Sequence, residues 1–300
     1  PFPTFPEGFP RDIIRAFEQA IGRETLGNEV ASGTEIINRL GDAHVASGRP
    51  IVYTSADSVF QVAAHKDTIP LDELYRLCRV AREEVCVGPH AVGRVIARPF
   101  TGAPGAYTRR SDVRKDYSLR PTAETVQEAL QRHGVRTVSV GKIADLFGGA
   151  GFDASYKTKS NDEGVAVTLE QMREAGRRYE REGRPTFVWV NLVDFDQEYG
   201  HRNDPDGFAR ALEAFDRAVP GLLAALPAGG RLVLTADHGN DPTTPSTDHS
   251  REYVPLLVCE GAGRADGTPR DLGVRATFND HAAAVAAYFG VPYATGGSAF

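Results

Sequence analysis

Cysteine is scarce in this chain of 300 residues. Cys78, Cys86 and Cys259 form no even set and no C-x-x-C, which excludes a disulfide framework. That scarcity points to a reduced, cytoplasmic setting. Long hydrophobic runs are also missing. None approaches the ~18–20 residues that a membrane span requires, so no membrane partner is expected, and no signal-peptide pattern is present. Basic charge is not in surplus: 34 Lys and Arg face 40 Asp and Glu, a net charge of -6. A nucleic-acid partner is therefore not expected without a local basic patch. Internal repeats and low-complexity tracts are absent. Methionine occurs once, as Met172, and residue 1 is a proline, so a segment preceding Pro1 is expected. The remaining composition, 41% hydrophobic and 25% charged, is that of an ordinary globular enzyme, long enough for two domains.

What the chain does have is a series of carboxylate and histidine segments in its last third. They are Asp194-Phe195-Asp196, Gly200-His201, Asp237-His238, Asp248-His249 and Asp280-His281, and they hold four of the eight histidines. Carboxylate and neutral imidazole together form a ligand set for a hard-to-borderline divalent ion such as Mn²⁺ or Zn²⁺. No cysteine lies among them, which argues against a structural zinc knot. A site with open coordination positions does chemistry on oxygen, most often on phosphate.

The periodicity predicts two regions. Residues 1 to about 125 form one unit. It has helices over Asp12–Ile21, from Ser32 onward and over Leu71–Val85, strands over Pro50–Thr54 and Ala91–Arg98, and a long Gly-, Pro- and Arg-rich loop from Pro99 to Pro121. Ser32 and Glu35 have capping-box spacing. In residues 126–300 strands and helices alternate regularly. Strands are expected at Thr137–Gly141, Thr186–Val193, Arg231–Thr235 and Val254–Cys259. Helices are expected at Thr122–His133, Thr168–Arg181, Asp206–Leu226 and Asp280–Phe289. Nearly continuous apolar strands separated by helices indicate an α/β fold with a parallel sheet. Ligands in such sheets bind beyond the carboxyl ends of the strands, where Asp194, Asp196, Asp237 and His238 fall.

Each segment also has a structural reading. Asp194 and Asp196 could share a side of their strand, with His201 brought back across Gly200, yet Asp and His at a strand end are often turn formers or caps. The run Thr235-Ala236-Asp237-His238-Gly239-Asn240-Asp241 is more specific, because two adjacent ligands followed by glycine can face one cleft from one turn. Asp248-His249 precedes another buried strand. Two ions ~3.5–4 Å apart could clamp the attacking and leaving oxygens of a phosphoryl group. Asp280-His281 reads as a helix N-cap and is set aside from the metal residues.

These segments resemble a known family. Asn191-Leu192-Val193-Asp194-Phe195-Asp196 with Gly200-His201, the run from Thr235 to Asp241, and Thr247-Asp248-His249-Ser250-Arg251-Glu252 are similar to the alkaline phosphatase superfamily, and more narrowly to prokaryotic phosphopentomutases. In the first unit, Ala31-Ser32-Gly33-Thr34-Glu35-Ile36, the run from Tyr53 to Gln61, and Gly93-Arg94-Val95-Ile96-Ala97-Arg98-Pro99-Phe100 resemble that family's cap. The resemblance implies a smaller α+β cap (1–125) on an α/β core (126–300), two Mn²⁺ ions, and a phosphothreonine intermediate. It implies that Asp196, His201 and His249 hold one ion and that Asp237 and His238 hold the other.

The family completes the second site with an N-terminal aspartate and the catalytic threonine. No Asp-Thr-Thr-Gly-His-like stretch occurs in the 300 residues, so the nucleophile is expected upstream of Pro1. The second site is expected to be incomplete in this chain, and the chain alone inactive. Ser55, Asp57, Val59 and Arg94 are the substrate contacts that the resemblance favours, with Lys142 as an added cation. Arg94, Arg98, Arg109 and Arg110 flank the long loop, and guanidinium forks suit a phosphate that is not reacting. Arg110 and Arg114 read more simply as solvated charges. The implied reaction interconverts ribose or 2-deoxyribose 1-phosphate and 5-phosphate through a bisphosphate, with a sugar bisphosphate as activator. Two rivals share parts of the pattern: another metal-dependent phosphatase or phosphoglycerate mutase of the superfamily, and a non-catalytic sugar-phosphate binder.

Overall fold

The structure, a computed structural model, describes residues 3–55, 59–261 and 269–300. The chain divides into two compact units, Pro1–Arg120 and Pro121–Phe300.

In the first unit, α1 (Arg11–Ile21) buries Ile13, Phe17 and Ile21 and stops at Gly22, whose φ of 72° lies in the left-handed region. Strand β1 (Leu26–Val30) leads into α2 (Gly33–Ser47), where the Ser32 hydroxyl accepts the Glu35 N–H at 3.2 Å. Strands β2 (Ile51–Thr54) and β3 (Phe60–His65) are buried at every position. Helix α3 (Leu71–Val80) does not run on regularly to Val85. Residues Ala81–Val85 form a wider π-type turn, closed by the buried Arg82, which donates to the carbonyls of Val92 and Cys86.

The stretch expected as a loop from Pro99 to Pro121 carries the end of one strand and two short strands. Strand β4 (Arg94–Thr101) pairs antiparallel with β5 (Thr108–Arg109) and with β6 (Lys115–Ser118). Its glycines make the turn between β4 and β5 rather than an open loop, with Gly102 at φ 117° and Gly105 at φ 78°. The sheet order is β1-β2-β3-β4-β5, with β6 also on β4. Its pairs are mixed: β1–β2 and β3–β4 run parallel, and β2–β3 antiparallel. One face packs Phe60 against Phe9 and Phe17, and the other packs Tyr53 and Phe100 against Ile36 and Ile37 of α2.

A histidine is buried under that second face. The Nδ1 of His44 donates to the Arg49 carbonyl at 2.7 Å, and its Nε2 accepts the His65 N–H at 2.9 Å. Both nitrogens are therefore used by the neutral ring, and burial holds its pKa below the usual value. The unfolded chain takes up a proton near the ordinary histidine pKa of about 6.5, whereas the folded one does not. The contribution of His44 to stability is thus complete above that pH and is lost as pH falls toward the depressed folded value. The urea midpoint of this unit should drop between pH 7 and 5, and His44→Asn should flatten that slope while lowering the midpoint throughout.

The second unit begins with α4 (Val126–Arg132), whose start is fixed by a capping box between Thr125 and Glu128, three residues after the expected Thr122. It continues with β7 (Arg136–Val140), α5 (Ile143–Leu146), β8 (Ala154–Tyr156), α6 (Asn161–Glu182) and β9 (Thr186–Val190). Helix α6 begins well before the expected Thr168. Ser160 caps it by accepting the Glu163 N–H, and Gly164 is not a breaker but a contact point, because a Cβ there would run into the Leu192 side chain. Next come α7 (Pro205–Ala224), β10 (Arg231–Thr235), β11 (Leu256–Glu260) and α8 (Asn279–Phe289).

Strands β8, β7 and β9 form a parallel sheet in the order β8-β7-β9. The other two strands depart from the all-parallel expectation, since β10 and β11 pair antiparallel, Arg231 opposite Glu260. An antiparallel pair needs no crossover helix, and no helix separates β10 from β11 among the described residues. Asp280 is not the N-cap of α8. It lies in the first turn, buried, where it accepts the Ser298 N–H at 2.8 Å and the Arg275 Nε–H at 3.3 Å, and so anchors the C-terminal residues. Among the described residues no helix is long and apolar enough to cross a membrane.

Candidate metal centre

Strand β9 ends at Val190, and the chain then makes one wide π-type turn over Phe195–Gly200. The turn is closed by the His201 N–H, which donates to the Asp196 carbonyl at 2.9 Å. This fold-back places His201 Nε2 3.3 Å from Asp196 Oδ2. The Nδ1 of the same ring lies 2.6 Å from the Thr247 carbonyl. A carbonyl only accepts, so Nδ1 carries a hydrogen, and Nε2 is the ring nitrogen that faces the carboxylate. A divalent ion placed between them could be bound by both, as imidazole nitrogen and carboxylate oxygen. A metal-binding histidine is commonly fixed in this way, through its other nitrogen.

The second half of the cluster comes from the loop that follows β10. Gly239 and Ser250 form an isolated antiparallel bridge in which the Ser250 N–H donates to the Gly239 carbonyl at 3.0 Å, and the Ser250 hydroxyl accepts the Asp241 N–H at 3.0 Å. These bonds bind the 238 segment to the 249 segment. A glycine is required at 239, because a Cβ there would lie 2.7 Å from the Ser250 carbonyl oxygen. The His238 and His249 rings consequently stack at 3.7 Å, and His249 lies 4.9 Å from His201. His249 Nε2 reaches Asp196 Oδ1 at 3.3 Å. Asp196, His238 and His249 each offer a ligand atom within 4.8 Å of the others. The donor set of one carboxylate and three imidazoles fits a divalent transition ion.

Asp237 stands apart from this group. Its side chain is 66% exposed, and its Oδ2 lies 3.6 Å from Nε2 of its own neighbour His238. Asp194, indistinguishable from Asp196 by pattern, does something else. It accepts the Asn161 N–H at 2.7 Å while its own N–H donates to Asn161 Oδ1 at 3.0 Å, so it secures the start of α6. Asp248 is exposed, with its N–H donating to the Ser246 hydroxyl. Two groups at the cluster went unassigned in the sequence. One is the Thr247 carbonyl. The other is Asn240, whose Nδ2 donates to Asp196 Oδ1 at 2.6 Å. Asn240 lies inside the Asp-His-Gly-Asn-Asp run, and that proximity was its only signal.

The remaining candidates are placed as follows. Lys142 follows β7 and occupies the N-cap position of α5. In the first unit, Ser55 follows β2, and its hydroxyl accepts from Gln61 Nε2 at 3.4 Å. Val59 is buried just before β3. Asp57 lies outside the described residues. Arg94 opens β4, with its side chain 47% exposed and Nη1 3.7 Å from Asp116 Oδ2. Arg98, four residues on, is half-buried and donates through Nε to Gln61 Oε1 at 2.9 Å; burial holds its guanidinium below its ordinary pKa. Arg110 and Arg114 each make a two-pronged pair with the aspartate two residues ahead, Asp112 and Asp116.

Comparison with known proteins adds a family to this geometry. The chain matches the model of the Metalloenzyme superfamily over residues 23–293. It is 52% identical over 299 residues to the phosphopentomutase of Caldanaerobacter subterraneus subsp. tengcongensis, spanning 99% of this chain and 73% of that protein. It is 53% identical over 300 residues to the phosphopentomutase of Acetivibrio thermocellus, spanning 100% and 74%. With the phosphopentomutase of Anaeromyxobacter sp. (strain K) it shares 56% identity over 289 residues, spanning 96% and 71%. Among solved structures, a phosphoglycerate mutase of Leishmania mexicana superposes with a TM-score of 0.44 at 20% identity, covering 58% of this chain and 38% of that one.

Proposed function

Because the chain belongs to the phosphopentomutase family of the metalloenzyme superfamily, as an isomerase of the phosphotransferase type, we propose that it interconverts ribose 1-phosphate and ribose 5-phosphate, and their 2-deoxyribose analogues. The observation that carries this reading is the meeting of Asp196, His201, His238 and His249 in the loops that follow β9 and β10. Asp196, His201 and His249 hold one Mn²⁺, and Asp237 and His238 serve a second. Bound there, the ions supply positive charge against the oxygens of the transferring phosphoryl group. Manganese suits a site of carboxylate and imidazole without thiolate, and the family resemblance favours it.

This chain's own residues do the rest. Asp196 neutralises part of the ion's charge, with Oδ2 toward His201 and Oδ1 toward His249. Arg94 offers a planar fork to the phosphate that is not reacting, and Lys142 adds a second cation. Ser55, Asp57 and Val59 meet the sugar. Both ends of the substrate carry phosphate in turn, so a sugar bisphosphate is the natural activator. Three unpaired thiols support a reduced, cytoplasmic setting.

The test is to supply the whole gene product with Mn²⁺, ribose 5-phosphate and a sugar bisphosphate and to follow the sample by phosphorus NMR, beside the 300-residue chain alone, which has no Asp-Thr-Thr-Gly-His-like nucleophile and should not turn over. Ribose 1-phosphate should appear without accumulation of inorganic phosphate; release of inorganic phosphate instead would make the protein a hydrolase. In the same assay Arg94→Ala should lower kcat/KM by ten-fold or more, mainly through KM. A charge-assisted hydrogen bond of this kind contributes roughly 1.5–3 kcal/mol. Arg94→Lys keeps the charge and loses only the fork, so its KM should rise less. Unchanged kinetics in the alanine variant would leave Arg94 as a surface partner of Asp116.

A further inference from the structure

The tie between the two metal-bearing loops runs through Asn240. Its Nδ2 donates to Asp196 Oδ1 at 2.6 Å, across 44 positions of sequence. A carboxylate only accepts, so the amide must present its NH₂ to Asp196, and its orientation is fixed. Its own Oδ1 is buried and has no hydrogen-bond partner among the described residues. A buried, unpaired amide oxygen carries a desolvation cost, which a group retained only for packing would not impose.

Gly200 explains how the amide fits. A Cβ at this position would collide with the Asn240 side-chain amide. The amide therefore lies against the bare backbone at the end of the wide turn that carries Asp196, next to His201. Gly200 is itself buried and is not among the residues with positive φ, so the requirement for glycine here is one of space.

We propose that Asn240 is a positioning residue for the metal carboxylate, and that Gly200 is the clearance that admits it. The bond to Oδ1 holds the Asp196 carboxylate in the orientation in which Oδ1 faces His249 and Oδ2 faces His201. It also joins the loop after β10, which carries His238, to the turn after β9, so the two halves of the site keep one spacing. The proposal rests on Asp196 being a metal ligand.

The test reads metal binding directly. Wild type, Asp196→Asn, Asn240→Ala and Gly200→Ala are freed of metal and titrated with Mn²⁺ in a calorimeter. The melting temperature of each metal-free protein and the EPR spectrum of each Mn²⁺-loaded one are recorded alongside. Groups that hold a metal ligand in place typically contribute 10–100-fold in metal affinity. Asn240→Ala is expected to bind Mn²⁺ 10–100-fold more weakly with an altered EPR spectrum, while its metal-free form melts within a few degrees of wild type. Gly200→Ala, which displaces the amide without removing it, should shift both readouts in the same direction. Wild-type affinity and spectrum in Asn240→Ala would overturn the proposal. So would a weakened affinity matched by an equally large loss of metal-free stability in both variants. If Asp196→Asn also bound Mn²⁺ like wild type, the metal reading itself would fall, whereas a weakened Asp196→Asn beside a normal Asn240→Ala would remove only the positioning role.

Discussion

Asp196→Asn should cost the protein about 100-fold or more in Mn²⁺ affinity, beyond what the loss of a supporting group alone produces, and turnover should fall at least in proportion. Among the described residues Asp196 is the carboxylate that touches both neighbouring rings, His201 through Oδ2 and His249 through Oδ1, each at 3.3 Å. Asparagine keeps the shape, and its carbonyl oxygen can still accept from Asn240, so the fold has little to lose. What disappears is the negative charge that balances the ion among neutral imidazoles. Elemental analysis after equilibration with Mn²⁺ and desalting measures the retained metal. His249→Ala, run beside it, should release about one equivalent, because its ring is held against Asp196 on one side and His238 on the other. Full retention of metal in both variants would remove the centre from this part of the chain.

The centre was legible in the sequence as far as residue type and strand ends carry. Asp196 and His201 follow β9 of the parallel sheet, whose carboxyl ends are where ligands are expected, and His238 and His249 lie in the loop after β10. Pattern alone could not separate Asp194 from Asp196, since both follow the same strand. Only the reciprocal bonds between Asp194 and Asn161 assign the first to the start of α6. Nor does spacing reveal that β11 pairs antiparallel with β10, because an edge strand of either direction can be equally apolar. Spacing also does not reveal the short strands within the stretch from Pro99 to Pro121. Gly102 and Gly105 look like loop residues, but at positive φ they turn the chain so that Arg109 pairs with Phe100. The ties that hold the centre together are side chain to side chain or side chain to carbonyl, as with Asn240 and Thr247. Such contacts depend on the folded loops and have no period in the sequence.

A core substitution in the first unit should separate folding from metal binding. Phe60 opens β3 with no exposed surface. Its ring lies 4.7 Å from that of Phe9 and 5.2 Å from that of Phe17, where α1 crosses the sheet. Truncation to alanine removes the ring shared by both contacts and leaves a cavity which the paired strands on either side of β3 cannot close. The expected cost is about 3–5 kcal/mol, enough to lower the melting midpoint of a unit of this size by ~10 °C or more. Every residue of the metal cluster belongs to the second unit, Pro121–Phe300. In Phe60→Ala, therefore, the first unfolding transition in calorimetry should move down sharply. At a temperature below that transition, Mn²⁺ affinity should stay within about two-fold of wild type, since none of Asp196, His201, His238 and His249 belongs to the substituted unit. If Arg94 of β4 and Ser55 after β2 bind the substrate as proposed, turnover should be lost at the temperature where the first unit melts, while the metal is still bound. Release of Mn²⁺ together with that first transition would show instead that the loops after β9 and β10 depend on the first unit for their geometry.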